Sequence, residues 1–393
     1  MSEFKTPLLI CLLTTLIACN DENNMASQEG VYPINIDFSG PIPTDKKIKM
    51  KFHQGIGSSE YLEGKIERRG GYSISFPKHS YEIDLKEDLP LANLPKDDDW
   101  ILNANFIDKT FLRHVISYEL FMDMNLNNIA PKCRYIELSL NGEYNGLYVL
   151  MEKLDKSSLQ INGKDSLSVI FKEPHIFRPN YEGISAQKLN NFHQQTYPKI
   201  TKEDKSSFIE SIRTLILESD ETVFKNGIAD LFDLSNIIDW HLLLLVSNNN
   251  DGLKKNFYLY KQDSQTLVRI APWDYDHSFG RDGDNELNLD VRPVNMEQSI
   301  LFARLLKIES YKLALKKRWY ALNENSLLSE EGLKERILRK SKLIKPFAEK
   351  NFKLWPLNDQ RYYDDNNFDQ EIEIMLEFVT VRHKRLEEYF RNF

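Results

Sequence analysis

The sequence predicts an α+β protein, strand-rich in its first half and mostly helical in its second. Two observations carry this expectation. Between about Val31 and Lys153, short alternating or apolar runs of four to six residues recur between turn signals. From Ser206 onward, apolar residues instead follow three-and-four spacing or fill runs too long for strands. Composition bounds the rest. The chain has 393 residues, 41% hydrophobic and 28% charged, with a net charge of −8. That apolar fraction can build a core, so wholesale disorder is excluded. Sixteen glycines and 15 prolines are too few for a collagen-like or low-complexity chain. An acidic balance without a dense Lys/Arg run argues against nucleic acid as a partner. No stretch of about 18 uninterrupted apolar residues is present, so no ordinary membrane-spanning helix is expected.

The first element is an address. Residues Pro7 to Ala18 read PLLICLLTTLIA, an apolar run of signal-peptide size and too short to span a bilayer. Residues 1–18 are therefore expected to be a signal peptide. The run ends Leu16-Ile17-Ala18-Cys19, which resembles the bacterial lipobox. That resemblance implies a lipidated Cys19 as the mature N-terminus, a polar tether over residues 19–30, and a membrane-anchored cell-envelope lipoprotein, periplasmic or surface-exposed. An ordinary signal peptide that happens to contain a cysteine is the alternative. The other cysteines are Cys11, inside the signal, and Cys133. Cys133 is then alone in the mature chain and reads as a buried small hydrophobe. With no CxxC or HExxH pattern, a zinc site lacks sequence support.

The strand-rich lobe is expected over residues 31–155. IKMKF (48–52), YSISF (72–76), YEIDL (81–85), YIELSL (135–140) and LYVLM (147–151) read as strands. Asn141-Gly142 between the last two is a tight hairpin signal. One helix interrupts the set, from Asp108 to Phe121, with Asp108 as its N-cap. The helical lobe is expected over residues 156–393. FIESIRTLIL (208–217) and LSNIIDWHLLLLVS (234–247) are helical by period or length. NFYLYK (256–261) and TLVRIAPW (266–273) read as a two-strand insertion, and the tail from Ser299 is helical again. From Leu301 onward the tail carries 19 basic and 15 acidic residues, a balance that reads as a solvated helical face.

The chemistry concentrates between residues 248 and 280. A polar loop, Asn248-Asn-Asn-Asp251-Gly-Leu-Lys-Lys-Asn256, follows the very apolar helix. Loops at the ends of buried helices are where rigid scaffolds present functional groups. Asp251 and Asn256 have the spacing of the Asp and Asn in the catalytic loop of protein kinases. There the Asp accepts the proton of the attacking hydroxyl and the Asn helps to hold a metal. After the hairpin comes Trp273-Asp274-Tyr275-Asp276, where kinases place a metal-binding Asp. Hard divalent ions take one or two carboxylates plus phosphate oxygens, which Asp274 and Asp276 with Asn256 can complement. On these features alone, a phosphate-and-metal site and a structural polar loop both remain open.

Four ordered blocks over residues 65–285 resemble the spore-coat protein H (CotH-like) family of atypical protein kinases. They are Arg69-Gly70-Gly71 with Phe76-Pro77-Lys78-His79; Asp99-Trp100-Ile-Leu-Asn103 with Asp108-Lys109 and Arg113-His114; Ala130-Pro131, Asn141-Gly142, Gly146-Leu-Tyr148 and Glu152-Lys-Leu-Asp155; and the segment from Asp251 to Gly280. The resemblance implies a divergent two-lobed protein-kinase-like fold, ATP with Mg²⁺ or Mn²⁺, and phosphorylation of Ser or Thr on a protein substrate. By the same resemblance Asp251 is the catalytic Asp. Asp274 is the principal metal ligand, assisted by Asp276 and Asn256. Lys78 contacts the ATP phosphates. Glu152 lies near the interlobe hinge, and Arg113 pairs with an acidic group or phosphate or caps packing between helix and sheet. Trp100, Trp273 and Tyr148 are expected in the core.

The chain also departs from the family pattern. His114 stands where Asn follows the Arg, and His79 follows Lys78 in place of a second Lys. No Gly-x-Gly-x-x-Gly loop is present, and Gly55-Ile-Gly57 reads as a turn. A lipoprotein also works where ATP is scarce. Other readings therefore stay open: a catalytically inactive cell-envelope binding lipoprotein on the same fold, a nucleotidyl transferase, or a glycosidase using Asp251 with Asp274 or Asp276.

Overall fold

A computed structural model describes residues 30–55, 57–177, 194–283, 285–356 and 364–393. The expected signal segment, Cys19 and the tether up to residue 29 lie outside them. The chain is mixed α+β, with strands leading and helices following.

Seven strands make the first part: β1 Val31–Phe38, β2 Ile48–Gln54, β3 Leu62–Arg69, β4 Ser80–Pro90, β5 Lys96–Asn103, β6 Cys133–Leu140 and β7 Glu143–Glu152. They close into a barrel in the order β1-β2-β3-β4-β5-β7-β6. Closure comes from β1 lying parallel to β6, with Val31 opposite Tyr135. Strand alternation turns Ile36, Phe52, Ile66, Ile83, Trp100, Leu102, Ile136, Leu138 and Leu150 into one buried interior cluster. Closing the sheet leaves these strands no free edge to pair with another chain. This barrel is not the open sheet of an ordinary kinase lobe. Nothing in the strand pattern announces closure, because the pairing that makes it joins segments a hundred residues apart.

Two expectations need correction here. The stretch 72–76 is not a strand. Tyr72–Ser75 forms one 3-10 turn after Gly70, whose φ of +135° breaks the ladder, and β4 begins only at Ser80. The helix expected from Asp108 starts at Arg113 and runs to Met124 (α1). Asp108 instead accepts N–H groups from Thr110 and Arg113, the second at 3.1 Å, and so serves the helix start from below. The Asn141-Gly142 turn joins β6 and β7, both residues having positive φ as a tight hairpin requires. Trp100, Tyr148 and Trp273 are buried, as is the free thiol of Cys133.

The second part carries a four-stranded sheet in the order β11-β10-β8-β9, with β8 Val169–Lys172, β9 Gln195–Tyr197, β10 Phe257–Lys261 and β11 Arg269–Pro272. The expected insertion is thus only half of its sheet. Around it lie α2 Ser206–Leu217, α3 Glu221–Leu231, α4 Leu234–Ser247, α5 Asn250–Lys254, α6 Ile300–Leu305, α7 Glu309–Glu324, α8 Glu330–Leu354 and α9 Phe368–Asn392. Helix α4 is buried nearly all round, which explains its nearly unbroken apolar run. Asp233 caps its start and Asn248, with φ +55°, ends it. Among the described residues no helix is long and apolar enough to cross a membrane.

On the barrel wall, Lys47 and Lys153 sit among Glu82, Asp84 and Asp99 at 2.9–3.8 Å. Burial pushes the Glu82 carboxyl up, but hydrogen bonds and charge from Lys153 and Lys47 win and hold it at about 2. Asp99 goes the other way, to about 6, through burial and the neighbouring Asp84, against the attraction of Lys153 and Lys47. Glu82 therefore contributes stability present above its unfolded value of 4.5 and lost as pH falls toward 2. Asp99, raised from 3.8, destabilises the folded chain at neutral pH, and this is relieved as pH falls through 6. Asp99→Asn should stabilise the protein at pH 7 by about 1–2 kcal/mol after allowing for solvent screening. Urea midpoints at pH 7 and pH 5 check this. The gain should be smaller at pH 5, and a loss at pH 7 contradicts it.

Candidate functional site

The end of the barrel and the 251–285 segment enclose a cleft of about 840 Å³, within the range of small-molecule sites. Barrel-side walls come from Gly71–Ser73, Phe76, Lys78 and the turn after β5. The opposite wall carries Asp251, Asn256, Asp274 and Asp276, with His114 from the first turn of α1. Four residues predicted for catalysis and metal binding therefore share one cavity with Lys78.

Asp251 does not lie on an open loop. The side chain of Asn249 accepts the Gly252 N–H at 2.7 Å and starts the one-turn helix α5, with Asp251 in its first turn. Gly252 keeps this turn close-packed: a Cβ would come within 2.9 Å of Leu244 Cδ2 and 3.1 Å of the Tyr275 hydroxyl, so those side chains would have to shift. The Asp251 carboxylate is one quarter exposed and its only ion pair among the described residues is with Lys255, at 3.2 Å.

Asn256 and Asp274 both adopt left-handed backbone, with φ of +62° and +56°. They hold each other: Asn256 Nδ2 donates to the Asp274 carbonyl at 2.9 Å, and the Trp273 N–H donates to the Asn256 carbonyl at 3.0 Å. The Asp274 N–H donates to Tyr118 Oη at 2.9 Å. The bond to the Asp274 carbonyl takes one of the amide N–H groups of Asn256, a residue that lines the cavity. Asp274 presents a half-exposed carboxylate, 3.2 Å from His114 Nε2. Asp276 Oδ1 accepts the His277 N–H at 3.0 Å, which fixes its orientation.

His114, Asp274 and Asp276 each offer a ligand atom, all within 4.8 Å of one another. One imidazole and two carboxylates fit a divalent ion, and the nitrogen suits Mn²⁺ or a later transition ion better than Mg²⁺. The other ring nitrogen of His114, Nδ1, is buried without a partner. The crowding of protein around the half-exposed Asp274 carboxyl acts to raise it, but the hydrogen bond and charge of His114, with the charges of His277 and Arg69, outweigh this and hold it below the usual range. Asp276 is pushed up by burial and by the charge of Asp274. Burial opposes protonation of His114, yet its bond to Asp274 and the charges of Asp276, Asp274 and Asp108 raise it.

The residues expected to touch nucleotide fare differently. Lys78 is 1% exposed. Its ammonium donates to the carbonyls of Ala104, at 2.8 Å, and Leu147, and lies 4.3 Å from the Tyr148 ring centre. It lines the cavity as a brace for its wall. Burial pushes its pKa well below the ordinary value.

Arg113 and Glu152, candidates for contact with the nucleotide, are not among the residues lining the cavity; of the roles open to Arg113, the structure shows the pairing with acidic groups. The Arg113 guanidinium is spent on Asp108, Glu371 and the Ser278 carbonyl, all buried. The Glu152 carboxylate accepts the Lys132 N–H at 3.0 Å at the end of β7. His114 was visible in the sequence only as a departure after Arg113. The 160 residues separating it from Asp274 hid its place beside that carboxylate.

Comparison with known proteins follows from this geometry. The chain is 23% identical over 358 residues to inner spore coat protein H of Bacillus subtilis, covering 89% of this chain and 91% of that one. Among solved structures it is similar to the Helicobacter pylori proinflammatory kinase CtkA, at 9% identity and a TM-score of 0.33, over 78% of this chain and 94% of that one. That likeness is too slight to bear on the site. Residues 66–386 match the CotH kinase protein family, spanning every element that lines the cavity, and the chain belongs to that family.

Proposed function

We propose that the chain is an atypical protein kinase, transferring the γ-phosphoryl group of ATP to a Ser or Thr hydroxyl of a protein. The observation that carries this is the convergence of Asp251, Asn256, Asp274, Asp276 and His114 on one cleft in a member of the CotH kinase family. The cleft lies between a strand-rich and a helical part, which supports a divergent two-lobed kinase-like arrangement despite the closed barrel.

Asp251, partly exposed on its short helix, receives the proton of the incoming hydroxyl as the new O–P bond forms and the bond to ADP breaks. Asp274 and Asp276, with His114 and the amide oxygen of Asn256, would hold a divalent ion, which supplies charge neutralisation on the transferring phosphoryl group. Lys78 keeps the barrel wall in place through two main-chain carbonyls. The same reading places the protein in the cell envelope, anchored through Cys19. The N-terminal pattern supports this, as does the spore-coat location in the name of the Bacillus relative.

The test uses the protein from Asp21 onward with γ-labelled ATP, an acidic protein substrate, and Mn²⁺ or Mg²⁺. Label should pass to protein only with metal, and better with Mn²⁺. Label retained from the α-position instead would indicate nucleotidyl transfer. If no label transfers and calorimetry shows no metal-dependent ATP binding, the chain is a binding protein on this fold.

A further inference from the structure

Among the polar side chains of the cleft that the phosphoryl-transfer reading does not use, one is buried with its whole amide unpaired. Asn105 follows the end of β5, is 5% exposed and lines the cavity. Neither its amide nitrogen nor its amide oxygen meets a partner or solvent. A buried amide left wholly unpaired destabilises a fold, so its retention needs a reason.

Its backbone is not left to chance. Asn105 has φ +46°, a left-handed conformation that few side chains other than Asn and Asp adopt readily. Its N–H donates to Asn103 Oδ1 at 3.2 Å. The preceding residue is clamped on both sides, its N–H donating to Ser80 Oγ at 3.0 Å and its carbonyl accepting from Lys78 at 2.8 Å. Phe106, the next residue in the chain, and Phe76 form a small apolar cluster separate from both cores, with ring centres 5.2 Å apart. Both line the same cleft.

An amide offers one donor edge and one acceptor edge in a plane. Adenine offers the complement, a ring nitrogen acceptor beside an amino donor, while guanine presents two acceptors on the corresponding edge. Aromatic faces supply the apolar surface on which a base lies. We propose that Asn105 is the specificity-determining residue for the nucleotide, pairing with the edge of adenine while Phe76 and Phe106 pack against the ring. This rests on the nucleotide-dependent reading of the site. The terminal torsion of Asn is soft, so a base entering the cleft can turn the amide to meet it.

Calorimetry with Mn²⁺ and three probes tests this: ATP, GTP and inorganic tripolyphosphate. The wild type should bind ATP more tightly than either other probe. Asn105→Asp tolerates the same backbone but loses the donor that meets the adenine ring nitrogen, keeping only acceptors. It should lower the ATP-to-GTP affinity ratio by about ten- to a hundredfold and leave tripolyphosphate within about twofold of wild type. Asn105→Ala should weaken ATP similarly without gaining GTP, and thermal denaturation confirms that each variant is folded. An unchanged ratio in Asn105→Asp, or a wild type that binds tripolyphosphate as tightly as ATP, overturns the assignment while leaving metal-dependent phosphate binding intact. A wild type that binds no probe overturns the assignment and the kinase reading together.

Discussion

An Asp274→Asn variant should fold normally and lose phosphoryl transfer by about a thousandfold or more. The exchange is nearly isosteric, and the backbone contacts to Tyr118 and Asn256 do not involve the carboxylate. What disappears is the most exposed anionic donor of the His114, Asp274 and Asp276 group. An ion bound there is worth several kcal/mol of charge stabilisation, and each 1.36 kcal/mol is about tenfold in rate. Mn²⁺ affinity should fall in parallel. Asp251→Ala separates the two roles. It should cut the rate by about 10²–10⁴-fold as expected for a lost proton acceptor, with metal binding retained. His114→Asn should weaken Mn²⁺ more than Mg²⁺, since it exchanges an imidazole for an oxygen donor. If Asp274→Asn keeps both metal binding and transfer, these carboxylates are not the metal centre.

The second large effect concerns stability. Arg113→Met removes a guanidinium buried among Asp108, Glu371 and the Ser278 carbonyl. Both carboxylates are almost fully buried. Glu371 retains Arg281, but Asp108 keeps only hydroxyl and N–H donors. Breaking a buried pair from one side destabilises by about 3–5 kcal/mol, because the remaining charge stays unpaired in a poor solvent. Urea denaturation measures it directly. Arg113→Lys should be intermediate, since a point charge cannot reach three acceptors at once. Below the unfolding transition the variant should bind Mn²⁺ more weakly, because Arg113 no longer ties down the helix start that carries His114, and should bind ATP as wild type does at saturating Mn²⁺. A loss of ATP affinity in the folded variant would restore a nucleotide role to Arg113.

Arg113 also shows why the site is held as it is. It ties the start of α1, which carries His114, to Ser278 in the site segment and to Glu371 of α9. Arg281 repeats the pattern with Glu371 and Asp364, and Lys109 joins at Asp364 with a 2.6 Å contact. Pieces from three parts of the chain are locked together beside the cleft by charges that cannot leave. The segment from Asp274 to Arg281 therefore has little freedom to move, as a metal centre requires of its ligands.

Local chemistry made much of the architecture legible. The apolar run at 234–247 is a buried helix with the same bounds, and Asn141-Gly142 is the hairpin turn. The order of Asp251, Asn256, Asp274 and Asp276 was readable because a short hairpin keeps them near one another along the chain and in space. Such signals depend on neighbours in sequence, and neighbours in sequence remain neighbours after folding. Tertiary structure alone decided the rest. Barrel closure needs β1 beside β6, a pairing that no local pattern encodes. Lys78 was expected on phosphate and Arg113 on an acidic group or phosphate; folding sets the first against carbonyls and the second against carboxylates of distant segments. His114 and Asn105 read as ordinary polar residues until folding set one against Asp274 and left the other without a partner. A residue type states which interactions a side chain can make. Packing decides which of them are already taken.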